Sequence, residues 1–145
     1  MPLLRAVLDA NVLTSALIRP QGPPGQIMAL LLKEQAFELI VSEAILAELR
    51  RCLTYPRVRK YLTATDAELD LWVTGLGVVA DVVTGEKALR VVEADPDDDK
   101  YLAAAIEGRA DYVVSGDKHL LDIRAYEEIR IIPPRSFLTL IRKGK

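Results

Sequence analysis

The sequence contains very little cysteine and histidine, and this scarcity excludes several kinds of site. Its 145 residues include one cysteine, Cys52, and one histidine, His119. An internal disulfide is therefore excluded, and the reducing cytoplasm is the expected location. Metal sites built from histidine ligands and histidine-based nucleophilic triads are not expected either, since His119 stands alone in a segment that we interpret as exposed helix.

Long hydrophobic runs and glycine-rich phosphate loops are also missing. No apolar run approaches the ~20 residues of a membrane span, so no membrane association is expected. The opening run, residues 3–8, is too short for a signal peptide and is interrupted by Arg5. Neither GxGxxG nor GxxxxGK[ST] occurs. With 50% hydrophobic and 28% charged residues, the composition is that of a globular protein, and we expect residues 1–145 to form one domain.

Short apolar runs alternate with helical patterns along the chain. Strands are predicted over residues 3–8, 37–41, 78–83, 112–114 and 129–132. Helices are predicted over residues 11–18, 26–34, 43–53, 65–76, 95 to about 108, and 136–142. Ser42 is the predicted N-cap of the third helix, and Asp95 followed by Pro96 opens the fifth. This alternation favours an α/β fold with helices on both faces of a parallel sheet.

Four acidic residues fall near places where such strands end or helices begin. They are Asp9 after the first strand, Glu48 in the helix after the second, Asp99 near a helix start, and Asp117 after the fourth strand. Open α/β sheets bind ligands at the carboxyl ends of their strands. Carboxylates gathered there would repel one another unless a cation lay among them, and an all-oxygen site suits Mg²⁺ or Mn²⁺. Such sites, with one or two ions, hydrolyse phosphate esters.

Helix phase distinguishes Asp99 from the two aspartates before it. At 100° per residue, Asp99 aligns with Leu102 on the sheet-facing side, whereas Asp97 and Asp98 point outward and complement the helix dipole. A carboxylate on an apolar face is costly to bury unless it is paired, protonated or bound to a metal. Glu48 only flanks the apolar stripe of its helix. The pattern of this helix alone therefore does not identify Glu48 as a metal ligand, since a flanking glutamate is often just a solvated residue.

Three further residues allow both a functional and a structural interpretation. Asn11 either hydrogen-bonds a neighbouring carboxylate or caps the helix that follows it. Ser115 either orients a ligand or water, or caps the next turn. Asp117 follows Gly116, and aspartate is common in such turns for purely structural reasons.

The net charge of −2 conceals a marked asymmetry. Residues 93–99 contain five acids and no base. Residues 49–65 contain five basic residues and no acid, namely Arg50, Arg51, Arg57, Arg59 and Lys60. A basic stretch of this kind predicts contacts with nucleic-acid phosphates, although a run of exposed arginines is more often simply a solvated face.

Four segments together resemble the PIN-domain ribonucleases, and particularly the toxin components of prokaryotic toxin–antitoxin pairs. The segments are VLDANVL at residues 7–13, SEAILAEL at 42–49, DPDDDKYLAAA at 95–105 and ADYVVSGDKHLL at 110–121. The resemblance covers essentially the whole chain. Position by position, the acids of this family fall on Asp9, Glu48, Asp99 and Asp117, its Thr/Ser position falls on Ser115, and its polar residue after the first aspartate falls on Asn11.

This resemblance implies a three-layer α/β/α fold with a five-stranded parallel sheet of order 3-2-1-4-5. It also implies a Mg²⁺- or Mn²⁺-dependent endoribonuclease that cleaves single-stranded or structured RNA, forms a homodimer and is inhibited by a small antitoxin protein.

Two other interpretations are kept. A haloacid-dehalogenase-like phosphatase also begins with an aspartate at a strand end, but that family places its acid/base aspartate where this chain has Asn11. A non-catalytic PIN module would bind RNA or protein and cleave nothing. Four converging carboxylates argue against it, because a scaffold has no need of them.

Overall fold

A computed structural model of the chain describes residues 3–84 and 98–143. Within these segments one sheet is formed by β1 (Arg5–Leu8), β2 (Glu38–Ser42), β3 (Asp81–Val83), β4 (Tyr112–Val114), β5 (Ala125–Tyr126) and β6 (Ile129–Ile132). The strand order is β3-β2-β1-β4-β6-β5. The pairs that link β3, β2, β1, β4 and β6 are all parallel, and β5 is antiparallel to β6. The predicted order 3-2-1-4-5 is therefore confirmed for the five parallel strands.

Helices cover both faces of the sheet. They are α1 (Ala10–Ile18), α2 (Pro23–Glu34), α3 (Glu43–Cys52), α4 (Pro56–Arg59), α5 (Asp66–Val79), α6 (Asp99–Glu107), α7 (Lys118–Leu121) and α8 (Pro134–Lys143). Ser42 caps α3 as predicted, because its hydroxyl accepts from the backbone N–H of Ile45. The predicted N-cap at Asp95 and Pro96 lies outside the described residues. No helix within the described segments is long and apolar enough to cross a membrane.

Two hydrophobic clusters, one on each face of the sheet, make the core. Successive residues of β1 alternate between them, since Ala6 and Leu8 pack into one cluster and Val7 into the other. All three are fully buried. With both faces of the central strand covered by hydrocarbon, a polar side chain on this strand is accommodated only at its ends. The three-layer α/β/α fold is thus confirmed.

Three local predictions were wrong or incomplete. The strand predicted over residues 78–83 is only Asp81–Val83, because α5 continues to Val79 and its hydrogen bonds extend to the N–H of Ala80. Short apolar runs cannot be assigned to strand or helix by periodicity alone. The two-residue strand β5 and the one-turn helix α4 were not predicted as separate elements, since each is too short to show a period.

Candidate active site

The carboxyl ends of the three central strands bring the first site residues together. β1 lies between β2 and β4, and Leu8 is in register with Val114. The backbone N–H of Asp9 donates to the carbonyl of Val114 at 3.1 Å. The residues that follow these strands, Asp9 and Ser115, are therefore neighbours at one edge of the sheet, although 106 positions separate them in sequence.

Asp9 is held in a fixed orientation by its neighbours. Its side chain is 2% exposed, and it caps α1 by accepting from the N–H of Val12 at 2.8 Å. Its second carboxylate oxygen accepts a hydrogen bond from the Ser115 hydroxyl. Burial raises the pKa of Asp9 to about 6, against the lowering effect of these two hydrogen bonds, and the negative charges of Asp117 and Glu48 raise it further.

Ser115 connects two of the predicted acids. Its fully buried hydroxyl donates to Asp9 and accepts from the backbone N–H of Asp117 at 2.9 Å. Asp117 in turn caps α7 by accepting from the N–H of His119 at 2.7 Å. The capping interpretation of Ser115 is therefore supported, because its hydroxyl accepts from the N–H of Asp117 in the following turn, while its role toward a ligand or water stays a prediction. His119 is exposed on a helix, as predicted.

Glu48 reaches the same edge from α3 through two residues that the sequence analysis did not single out. Its carboxylate accepts a hydrogen bond from the Tyr101 hydroxyl and lies 3.1 Å from the Lys100 ammonium. The Tyr101 oxygen also accepts from the backbone N–H of Ala10 at 3.1 Å. Burial, and then the hydrogen bond to Glu48, raise the pKa of Tyr101 well above its ordinary value, so the phenol stays protonated. Tyr101 thus links α6, α3 and the start of α1.

The acidic run before α6 differs from the helix-phase prediction. Asp99 is buried, with 8% of its surface exposed, as the sheet-facing phase predicted. Asp98 was predicted to point outward, and this is wrong, because it is equally buried at 8%. It stands outside the regular helix as the N-cap residue of α6, so the rotation of 100° per residue does not apply to it. Asp97 lies outside the described residues.

Asn11 and most of the basic stretch are exposed to solvent. Asn11 is exposed in the first turn of α1 and does not cap that helix, because Asp9 does. Arg50 pairs with Asp70 at 3.4 Å, and Arg59 pairs with Asp66. No ion pair of Arg51, Arg57 or Lys60 occurs within the described segments. The basic stretch is therefore divided between cations matched by α5 and cations that face solvent.

Acidic residues at the two edges of the sheet differ in whether a basic side chain pairs with them. At the amino edge, Arg5 forms ion pairs with both Glu38 and Asp81. At the carboxyl edge, Asp9 has no cationic side chain within ion-pair distance in the part of the chain that the structure describes. Its neighbours Glu48 and Asp117 add negative charge instead. A cation at this edge would therefore relieve repulsion that the protein itself leaves in place.

The donor set fits a hard divalent cation in its chemistry. Carboxylate oxygens are the ligands that Mg²⁺ and Mn²⁺ prefer. Within the described residues, no three acidic side chains converge closely enough to hold one ion as they stand. Glu48 is engaged by Lys100 and Tyr101, so metal binding would require this carboxylate to exchange one partner for another.

Comparisons with known proteins show which family the chain belongs to. The chain is 34% identical over 122 residues to an uncharacterized protein of Methanocaldococcus jannaschii, and the aligned region covers 83% of this chain and 76% of that protein. The family described as PIN domain matches residues 5–119, a range that includes β1 to β4 and all the acids discussed above. The match to the PIN domain family argues against the haloacid-dehalogenase alternative. The chain belongs to the PIN domain family.

Proposed function

We propose that this protein is a metal-dependent endoribonuclease, a hydrolase that cleaves phosphodiester bonds in RNA. PIN domains are generally metal-dependent nucleases. The observation that supports the proposal for this chain is the arrangement at the carboxyl edge, where Asp9 is buried, oriented by Ser115, and adjacent to the charges of Asp117 and Glu48. Such an arrangement costs stability in a protein that has no use for it, since desolvation and repulsion both act on Asp9.

The carboxylates that would hold Mg²⁺ or Mn²⁺ are those of Asp9, Glu48, Asp99 and Asp117. When bound, one or two such ions supply an activated water and neutralise charge on the leaving oxygen. The ion would also favour the ionised form of Asp9 and so lower its pKa from the value of about 6 in the metal-free chain.

The residues of the chain provide orientation and charge. Ser115 and the N–H of Val12 each donate a hydrogen bond to one oxygen of Asp9. These two bonds would keep the carboxylate in the same orientation when a metal ion binds. Tyr101 holds Glu48 in reach of the same edge. Lys100 gives the acidic edge one positive group, which favours the approach of a phosphodiester toward carboxylates that would otherwise repel it.

We further propose that the described elements beyond the family match complete one PIN domain over residues 1–145. β6 pairs with β4, and α8 places the Phe137 ring in edge contact with Phe37, at 5.0 Å between centroids. Both elements therefore contribute to the sheet and core on which the site stands.

The biological part of the proposal rests on the resemblance of the four motifs to toxin–antitoxin nucleases. We propose that the protein acts in the cytoplasm as the toxin of such a pair, forms a homodimer and is inhibited by a small antitoxin. RNA phosphates are proposed to contact the basic stretch, mainly through the cations that form no ion pair within the described segments. Those residues are Arg51, Arg57 and Lys60, while Arg50 and Arg59 are already paired with α5.

A non-catalytic PIN module is the second candidate, and one observation favours it. The carboxylates do not form a preassembled cluster within the described segments, and Glu48 is bound to Lys100 and Tyr101. A module of this kind would bind RNA without cleaving it.

An RNA cleavage assay tests the proposal and separates the two candidates. The wild-type chain should cleave a labelled RNA in Mn²⁺ or Mg²⁺ and lose this activity in excess EDTA. Asp9→Asn should abolish cleavage. Asp111→Asn is the matched control, because Asp111 is an exposed aspartate at the opposite end of β4, where its side chain accepts from the N–H of Arg5. Undiminished cleavage in EDTA, or equal loss in both variants, would refute the proposal.

A further inference from the structure

A groove lies beside α1 and is lined by residues of two segments. It has a volume of about 540 Å³, and its lining includes Ser15, Ile18, Arg19, Pro23, Pro24 and Tyr61. This volume is within the range of pockets that bind small organic groups. The walls combine an aromatic ring, aliphatic carbon, a hydroxyl and a guanidinium. These are the groups that bind a base together with its phosphate.

The charge around the groove favours an anionic ligand. No acidic residue occurs between Ala10 and Lys33, which includes α1 and the turn into α2, or in the basic stretch that carries Tyr61. Arg19 and Lys60 form no ion pair within the described segments. The Lys60 ammonium lies 5.1 Å from the centroid of the Tyr61 ring. A phosphate attached to a base on that ring would therefore lie close to a cation that no carboxylate of the described residues pairs with.

Tyr61 is unusually available for stacking. It is 61% exposed, although its ring is large and apolar. Burying such a ring against a flat partner removes apolar surface from water, and every base offers a flat π-face. The lining also includes Pro23 and Pro24 at the start of α2, whose rings keep this backbone rigid. A groove that is already formed binds its ligand with little loss of conformational entropy.

Helix α1 connects this groove to the acids. Asp9 caps the helix, and the exposed positions Asn11 and Ser15 are four residues apart, so they lie on the same face. Ser15 is six residues beyond Asp9, or about 9 Å along the axis at 1.5 Å per residue. A single strand of a few nucleotides spans this distance. A strand whose phosphodiester lies at Asp9 can therefore follow the exposed face of α1 to Tyr61.

We propose that this groove is a base-binding subsite for single-stranded RNA, in which one unpaired base stacks on Tyr61 while Arg19 and Lys60 contact its phosphates. The proposal rests on the proposed ribonuclease function and adds to it a fixed point of attachment a short distance from the cleaved bond. Stacking is tolerant of base identity, so the subsite selects unpaired RNA rather than a particular sequence. A base paired in a duplex could not reach the ring.

Binding of a labelled single-stranded RNA oligonucleotide, measured by fluorescence anisotropy in EDTA to prevent cleavage, tests the subsite. Tyr61→Ala should weaken binding between about 5-fold and about 150-fold, the effect of losing one stacked base. Tyr61→Phe should bind as the wild type does, because stacking needs the ring and not the hydroxyl. Tyr55→Ala is the matched control, since Tyr55 is 39% exposed and adjacent to the Arg57 guanidinium but does not line the groove.

A ladder of oligonucleotides, each with one abasic position, makes the test specific. With the wild type, one position at a constant distance from the cleaved bond should weaken binding, and with Tyr61→Ala that sensitivity should vanish. The subsite is overturned if Tyr61→Ala binds RNA as the wild type does, or if Tyr55→Ala loses as much affinity as Tyr61→Ala. The proposed ribonuclease function still stands in that case if the wild type cleaves RNA. A wild type that neither binds nor cleaves RNA overturns both.

Discussion

Replacing Asp9 with asparagine should change how stability depends on pH in the metal-free protein. Burial gives Asp9 a pKa of about 6 in the folded chain, against an ordinary value of 3.8. Between these two values the folded state binds more protons at this site than the unfolded state does. The contribution of Asp9 to the free energy of unfolding is therefore largest below pH 4 and is lost as the pH rises through about 6. Asparagine does not titrate, so the variant does not lose this contribution to the free energy of unfolding as the pH rises.

The size of the effect follows from the shift. A difference of about two pKa units corresponds to about 3 kcal/mol of destabilisation of the wild type at pH 7. Asparagine still caps α1 at Val12, but it weakens the hydrogen bond from Ser115, which costs about 1 kcal/mol. Asp9→Asn should therefore be less stable than wild type by about 1 kcal/mol at about pH 3 and more stable by about 2 kcal/mol at pH 7. The latter corresponds to about 6 °C in thermal midpoint.

Denaturant unfolding in EDTA at a series of pH values measures this difference directly. Other acids titrate over the same range in both proteins, and those remote from Asp9 cancel in the comparison. Asp111→Asn, at the exposed end of β4, shows the effect of removing one carboxylate without burial. A free energy of unfolding that differs between Asp9→Asn and wild type by the same amount at every pH, or a variant that loses stability relative to wild type as the pH rises, would refute the account of Asp9.

Four further variants test residues of α6 and one residue of the basic stretch. Tyr101→Phe removes the hydrogen bond to Glu48, so Mn²⁺-dependent cleavage should fall at least tenfold in single-turnover rates; an unchanged rate would show that Glu48 needs no such support. Asp99→Asn should remove most of the cleavage activity. Asp98 is buried as well, so Asp98→Asn should lower the free energy of unfolding by about 1–3 kcal/mol in denaturant unfolding. An Asp98→Asn variant as stable as the wild type would contradict this. Arg57→Ala should lower the slope of log affinity for RNA against log salt by about 0.7, unless Arg57 makes no phosphate contact.

Much of the site could be predicted from sequence because topology determines it. A parallel sheet brings strand ends to one edge, so acids that follow β1 and β4 become neighbours whatever their separation in the chain. Asp9 could be located because it ends an apolar strand. Asp99 could be assigned to the buried side because regular helix phase applies from that residue onward. Their roles as metal ligands stay predictions.

The details that could not be predicted depend on local geometry that leaves no periodic pattern in the sequence. Asp98 precedes the regular helix, so phase gave the wrong orientation. The Tyr101 hydroxyl bridges Ala10 and Glu48, two positions that no spacing in the sequence connects. β5 is two residues long, and its hairpin turns at Glu127, which adopts a positive φ of 55° without the glycine or asparagine that usually marks such turns.

The central claim, that the acids at the carboxyl edge hold a divalent ion, is tested most directly by Mn²⁺ titration. Calorimetry of the wild type should show a saturable site, and Asp9→Asn and Asp117→Asn should each lose it, while Asp111→Asn should retain it. Ions bound only to the folded state also raise the thermal midpoint in proportion to the logarithm of their concentration. A wild type without saturable Mn²⁺ binding, or an Asp9→Asn variant that binds Mn²⁺ as the wild type does, would contradict the account.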